Sequence, residues 1–210
     1  MSSFIMSKQE VVVLFDLMGT SSIPVGIKDL PQVDGYEYES IVDSFSARRL
    51  IDRESETFRP DKGLEHFLLP VVKAKRILLF NYGVDGTCTF NASLYFAKIG
   101  LVAIFDNGHD TVKFLTIDSV DDLLLFIPNI NDITKFVDSC ETYISYLLFD
   151  KDSSIVHCTR IDHKKNIARI VEGKKTPHSA PVEAADEVEI SEYKEMLHDK
   201  LKEVHNVVGC

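Results

Sequence analysis

The sequence predicts an α/β fold in which helices pack around a mixed sheet that contains a central βαβ unit. Two short apolar runs, at residues 77–80 and 101–105, have the composition of buried strands. Between them, apolar residues in the segment 87–98 recur with helical spacing, and glycines stand on either side of that segment. A strand, a helix and a strand in this order form a βαβ unit, so the two strands should be parallel with a right-handed crossover.

The N-terminal part is predicted to add one central strand and two helices. Residues 1–9 read as a loose end, and the β-branched, apolar run at 10–15 favours a central strand. An amphipathic helix fits residues 40–53. A second helix fits residues 63–74, and Pro70 should kink or shorten it.

The segment after the βαβ unit is predicted to contain two hairpins and the clearest helix of the chain. The pair Asn-Gly stands between the run at 101–105 and a strand-like run at 111–117, which is a strong hairpin signal. That hairpin is antiparallel and would make the sheet mixed. An apolar stripe predicts a helix over residues 131–148, and two further strand-like runs predict a hairpin within residues 154–171.

The domain organisation is predicted to be a single α/β domain at 1–172, an acidic linker at 173–189 and a C-terminal amphipathic helix at 190–210. The linker is rich in Lys, Pro, Ser, Ala and acidic residues, a composition that does not fold alone. The helix has to bury its apolar stripe on its own domain, on a second copy or in the groove of a partner. The stripe, which is the predicted interaction surface, consists of Tyr193, Leu197, Leu201 and Val204.

Composition and charge narrow the class of protein. The 210 residues carry a net charge of −10, which disfavours nucleic acid or an anionic membrane as the main partner. The four cysteines show no C-x-x-C spacing, which is typical of free thiols in a reducing compartment. No apolar run has membrane-spanning length, and the N-terminus lacks the order of a signal peptide. We therefore expect an intracellular protein of the cytoplasm or nucleus, with a protein partner or a homo-oligomeric state and no membrane.

One short motif suggests phosphoryl chemistry. The segment 11–20 ends in DLMGT and resembles the opening motif of the haloacid-dehalogenase superfamily, whose nucleophilic aspartate ends a strand before a Gly-Thr turn. The resemblance implies that Asp16 is the nucleophile and that Thr20 supports the loop. Met18 stands where the phosphatases of that family have a second aspartate.

The same resemblance implies a magnesium site. The segment IDSVDD contains Asp118 and Asp122, which match the acidic motif that helps hold Mg²⁺ in that family. Under this alternative the catalytic residues are Asp16, Thr20, Asp118 and Asp122. The metal ligands are then Asp16, Asp118 and Asp122.

A second motif suggests a cysteine nucleophile. The hexapeptide GTCTFN at 86–91 resembles the nucleophile box of papain-like and ubiquitin-specific cysteine peptidases, in which the cysteine opens a helix and its thiolate is favoured. A histidine base with an acidic partner would also be needed. His157 with Asp162, or His109 with Asp118, has the required residue types.

No catalytic signature in the sequence is complete. The leading interpretation is therefore a non-enzymatic intracellular protein-interaction or assembly subunit without a cofactor. The alternative is a haloacid-dehalogenase-like phosphohydrolase that uses an aspartate nucleophile and Mg²⁺.

Overall fold

The main feature of the fold is a nine-stranded sheet in which all neighbouring strands are antiparallel. From one edge to the other its strands are β1 (Ser3–Ser7), β7 (Thr111–Ile117), β6 (Gly100–Asp106), β5 (Thr87–Ala97), β4 (Arg76–Val84), β8 (Glu141–Phe149), β9 (Ser154–Asp162), β10 (Ile167–Lys175) and β11 (Ala184–Glu189). A separate two-stranded ribbon pairs β2 (Ile51–Asp52) with β3 (Arg59–Pro60). The computed structural model describes residues 2–20, 24–52, 59–85, 87–106, 110–119, 121–122, 141–149, 154–162, 164–175 and 184–208.

Helices cover both faces of this sheet. The helices are α1 (Lys8–Leu17), α2 (Gly35–Ala47), α3 (Lys62–Val72) and α4 (Ile190–Val208). The first three share an apolar cluster with sheet residues such as Tyr95, Val102 and Phe114, and we call this side the three-helix face. Helix α4 shares a second cluster with residues such as Phe80 and Leu94, and we call this side the α4 face. Each face is thus a hydrophobic core in its own right.

The predicted βαβ unit is wrong, and with it the α/β fold class. Residues 87–97 form strand β5, which pairs antiparallel with β4 on one side and with β6 on the other. Leu94 points to the α4 face and Tyr95 to the three-helix face, so the strand is buried on both sides. A strand of this kind is apolar almost throughout, and its period of two is then hard to distinguish from helical spacing.

The predicted central strand at 10–15 is also wrong, because these residues belong to helix α1. The helix begins at a capping box: the Ser7 hydroxyl accepts from the amide of Glu10 at 3.1 Å, and the Glu10 carboxylate accepts from the amide of Ser7 at 2.7 Å. Val11, Val13 and Phe15 are buried on the three-helix face. Burial and the cap outweigh the β propensity of this run.

Two further segments differ from the prediction, and in one of them the burial alternates with a period of two. The C-terminal half of the predicted helix at 131–148 is strand β8 from residue 141 onwards, where Thr142, Ile144 and Tyr146 are buried in alternation. Its first half lies outside the described residues. Within the predicted linker at 173–189, the described residues are strands: 173–175 end β10 and 184–189 form β11.

Several local predictions are confirmed. Strands β6 and β7 pair antiparallel, β9 and β10 form the predicted second hairpin, and the predicted helix at 63–74 is α3, which ends two residues after Pro70. The turn at 107–108 lies outside the described residues. Among the helices that the structure describes, none is both long and apolar enough to cross a membrane.

Candidate functional site

Asp16, the predicted nucleophile, lies in the last turn of α1 and not at the end of a strand. Its carboxylate accepts a hydrogen bond from the hydroxyl of Tyr38 at 2.8 Å. Partial burial, the hydrogen bond and the Asp16 charge together raise the pKa of Tyr38 to about 12. Asp16 is therefore engaged in joining α1 to α2, and the strand on which the resemblance was based is absent at this position.

Thr20 closes the same helix. Its hydroxyl donates to the carbonyl oxygen of Phe15 at 2.8 Å, and its amide donates to the same oxygen at 3.1 Å. Beside it, a cavity of 360 Å³ lies between the C-terminal ends of α1 and α3 and is bordered by Val25, Val71 and Tyr95. No charged side chain lines this cavity, so it offers no cationic side chain to hold a phosphate.

Asp118 and Asp122 lie beyond the end of β7. Asp118 borders a small cavity of 160 Å³ together with His205 at the end of α4. Asp122 is bound to Ser119: the Ser119 hydroxyl donates to the carboxylate at 2.9 Å and accepts from the Asp122 amide at 3.1 Å. Within the described ranges, no three His, Cys, Asp or Glu side chains are grouped so that they could hold a metal ion. Asp16, Asp118 and Asp122 are thus not brought together as a metal site.

Cys88 lies on strand β5, opposite Gly83 of β4, and does not open a helix. The helix N-terminus that would favour its thiolate is therefore missing. The proposed base, His157, is bound to residues other than Asp162. The Asp162 carboxylate accepts a hydrogen bond from the backbone amide of Lys165. His109, the other proposed base, lies outside the described residues.

The C-terminal apolar stripe contacts the protein's own sheet. Its four residues lie in the cluster of the α4 face, and each is at most 2% exposed: Tyr193, Leu197, Leu201 and Val204. Of the three ways of burying the stripe that the sequence leaves open, the structure shows docking on the same chain.

A buried polar cluster underlies that docking, and we call it the His157 cluster: Tyr146, His157, Thr159 and Tyr193. The His157 ring stacks on Tyr146 with 4.5 Å between ring centroids, and on Tyr193 of α4 with 6.0 Å. His157 Nε2 is hydrogen-bonded to the Thr159 hydroxyl at 2.8 Å and to the Tyr193 hydroxyl at 3.2 Å. The Nδ1 atom and the Tyr146 hydroxyl are buried without a hydrogen-bond partner among the described residues.

The electrostatics of this cluster favour neutral side chains. Burial lowers the pKa of His157, while the negative charge of Glu172 acts in the opposite direction and the positive charge of Lys200 acts in the same direction. Burial also raises the pKa of Tyr146 and that of Tyr193. The Lys200 ammonium lies 3.6 Å from the Glu172 carboxylate and so partly offsets its charge. The cluster holds α4 on the sheet through uncharged hydrogen bonds and stacked rings.

The edge strand β1 is the surface that the sequence-based reasoning missed, because residues 1–9 were read as a loose end. Its backbone is fixed to β7 at both ends: Thr116 donates to the Ser2 carbonyl at 3.0 Å, and Lys8 donates to the Asp110 carbonyl at 2.8 Å. In an antiparallel ladder, hydrogen-bonded residues alternate with residues whose amides and carbonyls point away. The even-numbered residues of β1 bond to β7. The backbone amides and carbonyls of Ser3, Ile5 and Ser7 therefore point away from β7, to the open side of the strand.

Strand β1 itself carries no charged side chain and is partly apolar. Its sequence is SFIMS, and Ile5 is 58% exposed. The outward amide of Ser7 is already bound by Glu10, which leaves the amides and carbonyls of Ser3 and Ile5 and the carbonyl of Ser7 on this edge. No other described strand pairs with this side of β1. A sequence signal for the strand did exist, because Ser7 and Glu10 form the S-x-x-E pattern of a helix start.

The opposite edge of the sheet has a different character. Strand β11 exposes three carboxylates, those of Asp186, Glu187 and Glu189. Charged side chains on an edge strand oppose the addition of another strand. The side chains of β11 therefore oppose the addition of a strand, whereas β1 has no charged side chain that would do so.

Comparison with known proteins adds no relative: a scan against protein-family models gives no match, and neither does a search of curated proteins.

Proposed function

We propose that the protein is a non-enzymatic interaction or assembly subunit, and that it binds a protein partner by adding a strand at the open edge of β1. The observation that carries the proposal is the row of outward backbone groups at Ser3, Ile5 and Ser7, on a strand without charged side chains. Donors and acceptors at every second residue of a strand match an extended polypeptide.

Rigidity of the edge supports this function. Ser2 is bound to Thr116 through backbone and hydroxyl contacts of 2.9 to 3.3 Å, and Ser7 begins the capping box of α1. On the inward side, Phe4 lies 6.0 Å from Phe67 of α3, measured between ring centroids. A partner strand would meet an edge that is already ordered, so little conformational entropy is lost on binding.

The distribution of charged side chains also supports β1 as the edge that binds the partner. Proteins commonly protect edge strands with charged residues or proline. Strand β11 carries three exposed carboxylates, whereas β1 contains no charged residue or proline and is capped by Glu10 only at Ser7. The phosphohydrolase alternative depended on a strand before Asp16, and Asp16 lies in a helix. No observation favours that alternative. As part of the proposal, we place the protein in the reducing environment of the cytoplasm or nucleus, in accord with its scattered cysteines.

Site-specific photo-crosslinking in the cells that express the protein tests this function. A photo-crosslinking amino acid replaces Ile5 in one version and Ile99, which is 53% exposed on a turn between β5 and β6, in the control. We expect a discrete crosslinked protein from position 5 only. Adding Ser3→Pro should abolish the crosslink, because proline removes one outward amide and leaves the bonds to β7 intact.

Two results would contradict the proposal. One is equal crosslinking from positions 5 and 99, which would indicate random collision. The other is the absence of a product from position 5, or a product that Ser3→Pro leaves unchanged.

A further inference from the structure

We infer that the strand added at β1 belongs to a second copy of this chain, and that the two β1 strands pair antiparallel about a twofold axis at Ile5. This inference rests on the proposed function and names the partner. It follows from the sequence of the edge, from the positions of its free backbone groups and from the distribution of charge around it.

The side chains of β1 are arranged almost symmetrically about Ile5. The strand reads Ser-Phe-Ile-Met-Ser, so reversing it exchanges serine with serine and one large apolar residue with another. A twofold interface requires a surface that is complementary to itself. With Ile5 on the axis, Ile5 faces Ile5 of the second copy and Ser3 faces its Ser7.

The outward backbone groups fit the same register. The amide of Ile5 would donate to the carbonyl of Ile5 in the second copy, and Ser3 would exchange both of its backbone bonds with Ser7, each bond occurring twice. In each copy the Ser7 amide would then give up its bond to the Glu10 carboxylate for the Ser3 carbonyl of the second copy, while Glu10 keeps its bond to Arg48. The pairing therefore gains about four hydrogen bonds in net terms.

Charges near the proposed axis are paired within each copy. The Lys8 ammonium lies 3.2 Å from the Asp106 carboxylate, and Glu10 is bound to Arg48. At the β11 edge, by contrast, a twofold pairing would bring exposed carboxylates together, which is unfavourable. The net charge of −10 on each copy still causes long-range repulsion, and salt screens it. The dimer should therefore become tighter as the ionic strength rises.

Sedimentation analysis of the purified full chain over a wide concentration range tests the inference. We expect a reversible monomer–dimer equilibrium. Ile5→Lys should weaken it by about tenfold or more, because it places two like charges opposite each other. Ile99→Lys, the matched control at another exposed isoleucine, should leave the dissociation constant unchanged.

Disulfide formation tests the register without relying on a weakened complex. Directly paired residues have Cα atoms about 5.5 Å apart, which a disulfide can bridge. Ile5→Cys should therefore form a covalent dimer on mild oxidation. Ser3→Cys should not link to itself, because its counterpart would be about 14 Å away along the strands, but it should link to Ser7→Cys when the two variants are mixed. Peptide mapping identifies the cysteines that are joined.

The outcomes separate the two proposals. A wild-type chain that stays monomeric at all concentrations, or lysine variants that weaken the dimer equally, overturns the inference. So does a dimer in which Ile5→Cys fails to link to itself. If the purified chain is monomeric while position 5 still crosslinks to a different protein in cells, the inference falls and the proposed function stands.

Discussion

At the scale of single residues, the most unusual feature is a histidine that lies between two tyrosine rings in the core. His157 is 6% exposed, and burial lowers its pKa, so the folded protein favours its neutral form. An unfolded chain would protonate this histidine near its ordinary pKa of about 6.5. Below that pH the unfolded state binds more protons than the folded state, and stability falls as the pH falls.

A pH series of unfolding measurements checks this behaviour. Wild-type protein should lose about 1.4 kcal/mol of unfolding free energy per pH unit through this histidine, from about pH 6.5 down to its lowered folded pKa. His157→Gln should remove that component, whereas the exposed His66→Gln should keep it. Parallel pH profiles of the wild type and the two variants between pH 5 and 7.5, values chosen to bracket about 6.5, would contradict the assignment.

A second residue-scale feature is the ion pair between Lys8 and Asp106, whose side chains are only 7% and 4% exposed. The Lys8 ammonium also donates to the carbonyl of Lys28 at 2.6 Å, and the Lys28 amide donates to the Asp106 carboxylate at 2.7 Å. These contacts tie the start of α1 to the end of β6 and to the loop around Lys28.

Lys8→Met should lower the free energy of unfolding by about 3 kcal/mol, because it removes the lysine cation from a buried ion pair. Lys73→Met, at an exposed lysine after α3, should change it by about 0.5 kcal/mol or less. Urea denaturation of both variants measures the difference. Equal effects would mean that the buried pair contributes little.

At the scale of secondary-structure elements, α4 behaves as a part of the core. Leu197→Asp places a charge in the cluster of the α4 face and should destabilise the protein by about 3 kcal/mol or more. Met196→Asp lies one position away on the same helix, where the side chain is 45% exposed, and should be nearly neutral. Thermal melts of the pair decide the point. A small effect of Leu197→Asp would indicate a helix that is only loosely docked.

The elements also show how far the sequence could predict this structure. Helix α4 could be predicted because one side of it is exposed to solvent. Tyr193 and Leu197 therefore recur at helical spacing among charged residues. Strand β5 could not, because Leu94 and Tyr95 are both buried and the alternation between faces is invisible in a uniformly apolar run. The α1 segment shows the same limitation, since its three valines suit either structure and the cap at Ser7 decides.

The candidate site follows the same logic. The residue types around Asp16 suggested a nucleophile. That role required Asp16 to lie at the end of a strand, and it lies in a helix. Strand β1 becomes an edge strand only through pairing with β7, which lies more than a hundred residues further along the chain. Local sequence patterns cannot predict that pairing. Only the capping signal at Ser7 and Glu10 was within reach of local reasoning.

At the scale of the whole molecule, the order of the strands has a consequence for how the protein folds. Most neighbouring pairs in the sheet are also neighbours in sequence, from β4 to β7 and from β8 to β11, so these two blocks consist of local hairpins. The pairing of β1 with β7 is different, because Ser2 and Thr116 are separated by 114 positions. Local hairpins close quickly, whereas contacts between distant residues carry a larger entropy cost and come later. On a ribosome, β1 would emerge before β7 and find its place only after residues 111–117 have been made. Until then β1 is not paired with β7 and cannot present Ile5 in a fixed register. Self-recognition would therefore be restricted to chains in which the block from β4 to β7 has already formed.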